Sequence, residues 1–192
     1  MTPWLLVAGL VISVLVAAIA VWAVRRSDDV EEDVVALLRR GAFVNELHAE
    51  TPAGVIAELV RALGSLLTGR KRTARAAVLE RELLASTGVG DEVAIPHAAV
   101  PGLTRPLLAL GRAPGGLDFG AGDGRPARLV FLLLMPPRTH DEEVRILASI
   151  ARATIEQEAR DELVAARDLE EVTRVLARSA RKTRASMRPA RR

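Results

Sequence analysis

Three histidines, His48, His97 and His140, are the side chains here best able to take up and release a phosphoryl group or a proton near neutral pH. The chain has no cysteine, which removes thiolate nucleophiles, thiolate metal sites and disulfides. His48 has no sequence context that points to chemistry. His97 does: it follows Ile95-Pro96 at the end of the apolar run Val93-Ala94-Ile95. Proline holds Ile95 extended and fixes its own φ, so the chain leaves the run rigidly with an imidazole at its end. Strand ends beside turns are where α/β folds place reactive groups. Upstream lies Ser86-Thr87-Gly88, whose hydroxyls and backbone N–H groups suit phosphate oxygens. Arg81, on the helix leading into that turn, carries a planar fork that suits a phosphoryl group. The same residues also fit an ordinary helix-ending turn with Arg81 in a surface ion pair. Spacing alone leaves both readings open.

The elements that would position these groups are legible in part. Thr51-Pro52 predicts a helix start, with Val55, Ile56, Leu59, Val60 and Leu63 at helical spacing and Gly69 at the end. A second helix is predicted from about Thr73 to Leu84. Val93–Ile95, Leu107–Leu110 and Leu129–Leu134 are short apolar runs bounded by Gly and Pro, and they predict buried strands. The last is apolar on both alternating faces and should be central. Thr139 and Glu142 fit a capping box opening a helix, and Asp168 and Glu171 have the same spacing. Val30 to Leu47 fits either a juxtamembrane helix or the first element of the domain. Helices, then strands, then helices within about 150 residues argue for one α/β sandwich.

Composition narrows the partners. Of 192 residues, 49% are hydrophobic, enough for a sizeable core, while only 3% are aromatic. A stacking platform for single-stranded nucleic acid is therefore not expected. The net charge of +3 is unevenly placed. Seven of the 27 Lys and Arg residues lie between Arg178 and Arg192 without an acid; the remaining 20 face 24 Asp and Glu. Residues 178–192 read as a basic tail, suited to nucleic acid or anionic lipid or left in solvent, with nucleic acid the weakest reading because the body is mildly acidic and lacks an aromatic platform. At the other end, Trp4 to Val24 is 21 residues without a charge, enough for a helix to span a hydrocarbon core of about 30 Å. Trp4 and Trp22 flank it, and Arg25-Arg26 follow at once. The positive-inside bias predicts a single-pass anchor over residues 1–26 in the plasma (inner) membrane, with the rest of the chain cytoplasmic. A cleaved signal peptide would need a basic start and a shorter apolar run.

The residues around His97 resemble a known family. Arg81-Glu82, Ser86-Thr87 and Val93-Ala94-Ile95-Pro96-His97 are similar to the signature of type 2 enzyme IIA domains of the phosphoenolpyruvate-dependent phosphotransferase system, the fructose, mannitol and nitrogen branch. Gly116-Leu117-Asp118-Phe119, Asp123-Gly124, Pro126, Leu129–Pro136 and Ile146–Ala151 continue the likeness in order. It spans residues 44–177, leaving 27–43 as a juxtamembrane linker or helix. The resemblance implies a mixed β-sheet flanked by helices on both faces, a three-layer sandwich. It implies that His97 accepts a phosphoryl group from phospho-HPr and passes it to an enzyme IIB, with Arg81 supporting the group and Thr87 beside it. No metal or other cofactor is implied. One position departs from the pattern: a second histidine is expected where this chain has Glu143, and His140 stands three residues earlier. On a helix these two share a face. A carboxylate there would repel phosphate. The resemblance therefore leaves two alternatives, a sugar-system phosphocarrier or a membrane-tethered regulatory domain of the same family, phosphorylatable or degenerate, that controls a membrane partner without sugar transport.

Overall fold

The computed structural model describes residues 30–187. In chain order the elements are α1 (Val30–Arg40), β1 (Ala42–Val44), α2 (Pro52–Ala62), a 3-10 turn (Gly64–Leu67) and α3 (Lys71–Leu84). The strands β2 (Gly88–Gly90), β3 (Val93–Ala94), β4 (His97–Ala99), β5 (Leu107–Leu117) and β6 (Ala127–Met135) follow. Three helices close the chain: α4 (His140–Ala153), α5 (Gln157–Ala165) and α6 (Leu169–Met187).

The six strands form one mixed sheet in the order β1-β5-β6-β3-β2, with β4 also on β6. β5 and β6 are antiparallel; β1 runs parallel to β5, and β3 and β4 run parallel to β6. The doubly apolar run at β6 is central, as its pattern demands. Val130, Leu132 and Leu134 enter one core, shared with Val55, Ile56, Leu59, Leu67 and Val78 from α2, the 3-10 turn and α3. Leu129, Phe131, Leu133 and Met135 enter the other, shared with Leu38, Ile150, Leu163 and Leu176 from α1, α4, α5 and α6. Each fully buried Leu or Phe contributes about 1.5–3 kcal/mol. The sheet is thus flanked by helices on both faces.

Both terminal segments of this domain have more structure than the sequence alone suggests. Val34 and Leu38 of α1 are buried, so Val30–Arg40 is the first element of the domain. The last helix runs on to Met187, with Ala180 and Thr183 buried, so the first part of the basic stretch is packed helix. The apolar stretch 4–24 and residues 188–192 lie outside the described residues. Among the described residues no helix is long and apolar enough to cross a membrane.

The capping signals divide. Thr51 Oγ1 accepts from Gly54 N–H at 3.2 Å, as expected. Asp168 Oδ1 accepts from Glu171 N–H at 2.8 Å, and Glu171 reaches back to Arg167 N–H. Thr139 makes no such cap; its hydroxyl donates to Pro136 O at 2.7 Å instead.

The β2–β3 turn places two consecutive L-residues, Asp91 (φ 51) and Glu92 (φ 65), in the left-handed region. Such residues cost on the order of 1 kcal/mol each and persist where surroundings fix them. Here Asp91 N–H donates to Asp123 Oδ2 at 2.7 Å, and Glu92 pairs with Arg125 at 3.0 Å and Arg128 at 2.6 Å. Arg128 also reaches Asp161 of α5 at 2.6 Å, tying the turn to that helix. Burial pushes the Glu92 carboxyl up, but hydrogen bonds from Arg128 and Gln157 and the charges of Arg128 and Arg125 together hold it below its ordinary value of 4.5. A depressed carboxyl adds stability that is present above its unfolded pKa and is lost as pH falls through the folded one. Wild-type protein is therefore expected to lose stability between about pH 5 and pH 3, and Glu92→Gln to lose less over that window. Urea midpoints at several pH values check this; parallel profiles would refute it.

Candidate active site

Pro96 decides how His97 is presented. It has no N–H to give the sheet, so the chain beside β6 is split into β3 and β4. The flanking groups hold the break in place. Ile95 N–H donates to Thr87 O at 2.9 Å, and Leu133 N–H donates to Pro96 O at 2.9 Å. His97 opens β4, opposite Leu133 of β6. Its Nδ1 lies 2.7 Å from Ile95 O. A carbonyl only accepts, so Nδ1 carries a proton, and in the neutral ring Nε2 keeps its lone pair.

That lone pair faces an open cavity of about 470 Å³ between α3, β4 and the first turns of α4. Glu80, Arg81 and Leu84 line it from α3, and His140, Glu143 and Val144 from α4. Glu143 Oε1 stands 3.9 Å from His97 Nε2, and Glu143 Oε2 stands 3.8 Å from His140 Nδ1. The His97 and Glu143 side chains are 17% and 22% exposed, whereas His140 is 85% exposed. Four of the residues singled out in the sequence therefore meet at one cavity: Arg81, His97, His140 and Glu143. Arg81 is partly committed, since its Nη1 donates to Ala85 O at 2.9 Å and closes the end of α3.

Ser86, Thr87 and Gly88, expected from the sequence to receive phosphate, are not among the residues that line this cavity. Their polar groups are engaged elsewhere. The Thr87 hydroxyl donates to the Glu82 carboxylate, and Thr87 N–H donates to Glu82 Oε1 at 3.0 Å. The Ser86 hydroxyl donates to Phe119 O, and Ser86 Oγ accepts from Gly88 N–H at 3.1 Å. A Cβ at Gly88 would lie 2.8 Å from Phe119 O, so glycine there serves close backbone packing. Residues 86–88 thus brace β3 and Ile95, from which the chain runs on to His97. Glu82 stands in the Arg81-Glu82 motif of the sequence, which gives it no role of its own; its place five residues before Thr87 was the available signal. His48 is away from the cavity and exposed, with its Nδ1 3.3 Å from Glu58 Oε1 on α2.

Leu83 and Leu84, 89% and 80% exposed, and half-exposed Val144 stand out in solvent at the ends of α3 and α4 that meet the cavity.

A mixed sandwich that presents a half-buried histidine at a proline-broken strand is the build of an enzyme IIA domain. The nitrogen regulatory protein IIA-Ntr from Neisseria meningitidis superposes with a TM-score of 0.69 at 26% identity, covering 74% of this chain and 98% of that one. In the Escherichia coli complex of mannitol enzyme IIA with phosphorylated enzyme IIB, the matching fold gives a TM-score of 0.61 at 21% identity over 71% of this chain and 94% of that one. The family described as "Phosphoenolpyruvate-dependent sugar phosphotransferase system, EIIA 2" matches residues 36–179. The chain belongs to this family. It is 34% identical to a nitrogen regulatory protein of Bradyrhizobium diazoefficiens over 136 residues, 71% of this chain and 89% of that protein. It is 38% identical to a fructose-specific EIIA component of Haloferax volcanii over 101 residues, 53% of this chain and 66% of that protein's own length.

Proposed function

We propose that this chain is a membrane-tethered phosphoacceptor that takes a phosphoryl group from phospho-HPr onto His97 and hands it to an enzyme IIB partner. The observation that carries the reading is the orientation of His97: Nδ1–H is bound to Ile95 O, and Nε2 opens into the cavity. In the transfer, Nε2 attacks phosphorus in line. The Nε2–P bond forms as the donor's N–P bond breaks, and the donor ring keeps that electron pair. Nδ1–H stays on Ile95 O throughout. Little covalent work falls to the protein, so positioning and charge dominate. Arg81 supplies positive charge at the cavity wall. Leu83, Leu84 and Val144 offer a partner apolar contact around the histidine.

A second reading is regulatory: the domain takes phosphate but controls a membrane partner instead of feeding sugar uptake. Glu143 beside Nε2 favours it, and so does the likeness to nitrogen regulatory proteins. Incubation with phosphorylated HPr and then with enzyme IIB separates the two. Label that reaches this chain and moves on supports the carrier; label that stays supports the regulator; a chain that never labels ends both.

The tether rests on residues 4–24 and Arg25-Arg26. It places the chain in the plasma membrane with His97 on the cytoplasmic side. The full chain is expected to stay with membranes through an alkaline carbonate wash, and residues 27–192 to be released. Release of the full chain would remove the tether.

A further inference from the structure

We infer that Glu143 is a charge gate that keeps His97 empty of phosphate until the donor pool is almost fully phosphorylated. This rests on the reading of His97 as the phosphoacceptor. The carboxylate oxygen lies 3.9 Å from Nε2, the atom that bonds phosphorus, and both side chains are largely shielded from solvent. A phosphoryl group on Nε2 brings its oxygens into the space that Glu143 faces.

The surrounding charges do not cancel this. The cavity lining offers one guanidinium, that of Arg81, and the exposed Glu80, whose charge solvent screens. One Arg81 N–H is spent on Ala85 O. His140 faces Glu143 from the solvent side at 3.8 Å, but it is 85% exposed, so any charge it carries is strongly screened. An incoming phosphoryl group therefore meets the shielded carboxylate of Glu143 and one partly committed arginine.

Unit charges about 4–5 Å apart near a protein surface change an equilibrium constant by more than tenfold, and partial exposure reduces this to about tenfold. A tenfold penalty has a definite consequence. If His97 otherwise exchanged phosphate evenly with its donor, half-occupancy would shift from a donor pool half phosphorylated to one about nine-tenths phosphorylated. Such a domain reports a saturated donor pool and passes its phosphate on readily, because the repulsion is relieved when the group leaves.

The test uses the full chain and the variants Glu143→Gln, Glu143→Ala, Glu143→Asp and His97→Ala. Phosphoramidate serves as a donor that needs no protein partner, and phospho-HPr as the protein donor. Intact mass reads occupancy. Glu143→Gln, close to isosteric, is expected to reach half-occupancy at about tenfold lower donor than wild type. Glu143→Ala should move the same way, and Glu143→Asp, which keeps the charge, should gain less. Equal half-occupancy in wild type and both neutral variants, with label absent from His97→Ala, overturns the gate and leaves the phosphoacceptor standing. Failure of wild type and neutral variants alike to label at His97 with either donor overturns the phosphoacceptor reading itself, and the gate with it.

Discussion

His97→Ala is expected to fold as wild type does and to take up no phosphoryl group from phospho-HPr. The lost side chain contributes one hydrogen bond, to Ile95 O, at the edge of the cavity. A neutral bond of this kind is worth about 1 kcal/mol, so the melting temperature should move by only a few degrees. Acceptance, by contrast, should vanish. Among the described residues, the other ring facing the cavity, His140, stands out in solvent at the start of α4, without the carbonyl that fixes the His97 ring. His48→Ala, with its ring in solvent beside Glu58, should label like wild type. Intact mass before and after incubation, read beside a thermal melt, decides it. Undiminished label on a well-folded His97→Ala protein would move the acceptor to another residue.

Arg112→Ala is expected to cost about 3 kcal/mol of stability, the largest loss among the substitutions considered. Arg112 is a buried guanidinium in β5. Its Nε donates to Asn45 O at 2.7 Å, its Nη1 to Val164 O and its Nη2 to Asn45 Oδ1. It also lies 5.7 Å from the centroid of the Phe43 ring. One side chain thus joins β5 to the segment after β1 and to α5. Burial pushes the guanidinium down from its usual range, with the Glu46 charge opposing. Truncation removes a buried guanidinium and leaves three part-buried or exposed oxygens without their charged donor, and hydrogen bonds from a charged group are worth about 1.5–3 kcal/mol. For a domain of this size the loss corresponds to about 10 °C in melting temperature. Lysine should recover under half of it, because an ammonium cannot reproduce a planar fork reaching three acceptors. Urea titration checks both variants, and a cost below about 1 kcal/mol for alanine would refute the account.

What the sequence revealed depended on how far a residue's role is written in its neighbours. β6 was legible because Leu129–Leu134 is apolar on both faces, and burial on both faces is what a central strand requires. Thr51-Pro52 was legible because cap and first-turn chemistry are local. His97 stood out because Ile95-Pro96 fixes the backbone before it, and the family likeness raised it above the other two histidines. The strands β1, β2 and β4 carry three residues each, too few for a period. β5 runs past its apolar start through Arg112, Pro114 and Gly115-Gly116, with a register shift between Arg112 and Leu117 that accommodates the proline. Thr139 lost its expected cap to Pro136 O, a competitor visible only in three dimensions. Ser86 and Thr87 looked like phosphate ligands because their hydroxyls have no partner in a linear reading. Folding gives them Phe119 O and Glu82. Arg112 reads as solvent-facing charge until the acceptors around it are known.

The Ile95 carbonyl has one more effect. Imidazole can be phosphorylated at either nitrogen, and the two products are isomers of different chemical lifetime. With Nδ1 turned into the backbone, only the tele product, bearing phosphorus on Nε2, can form without first turning the ring over. With His97 as the proposed phosphoacceptor, a main-chain oxygen two residues away would make the transfer regioselective, and any substitution keeping the Ile95 backbone in place should preserve that.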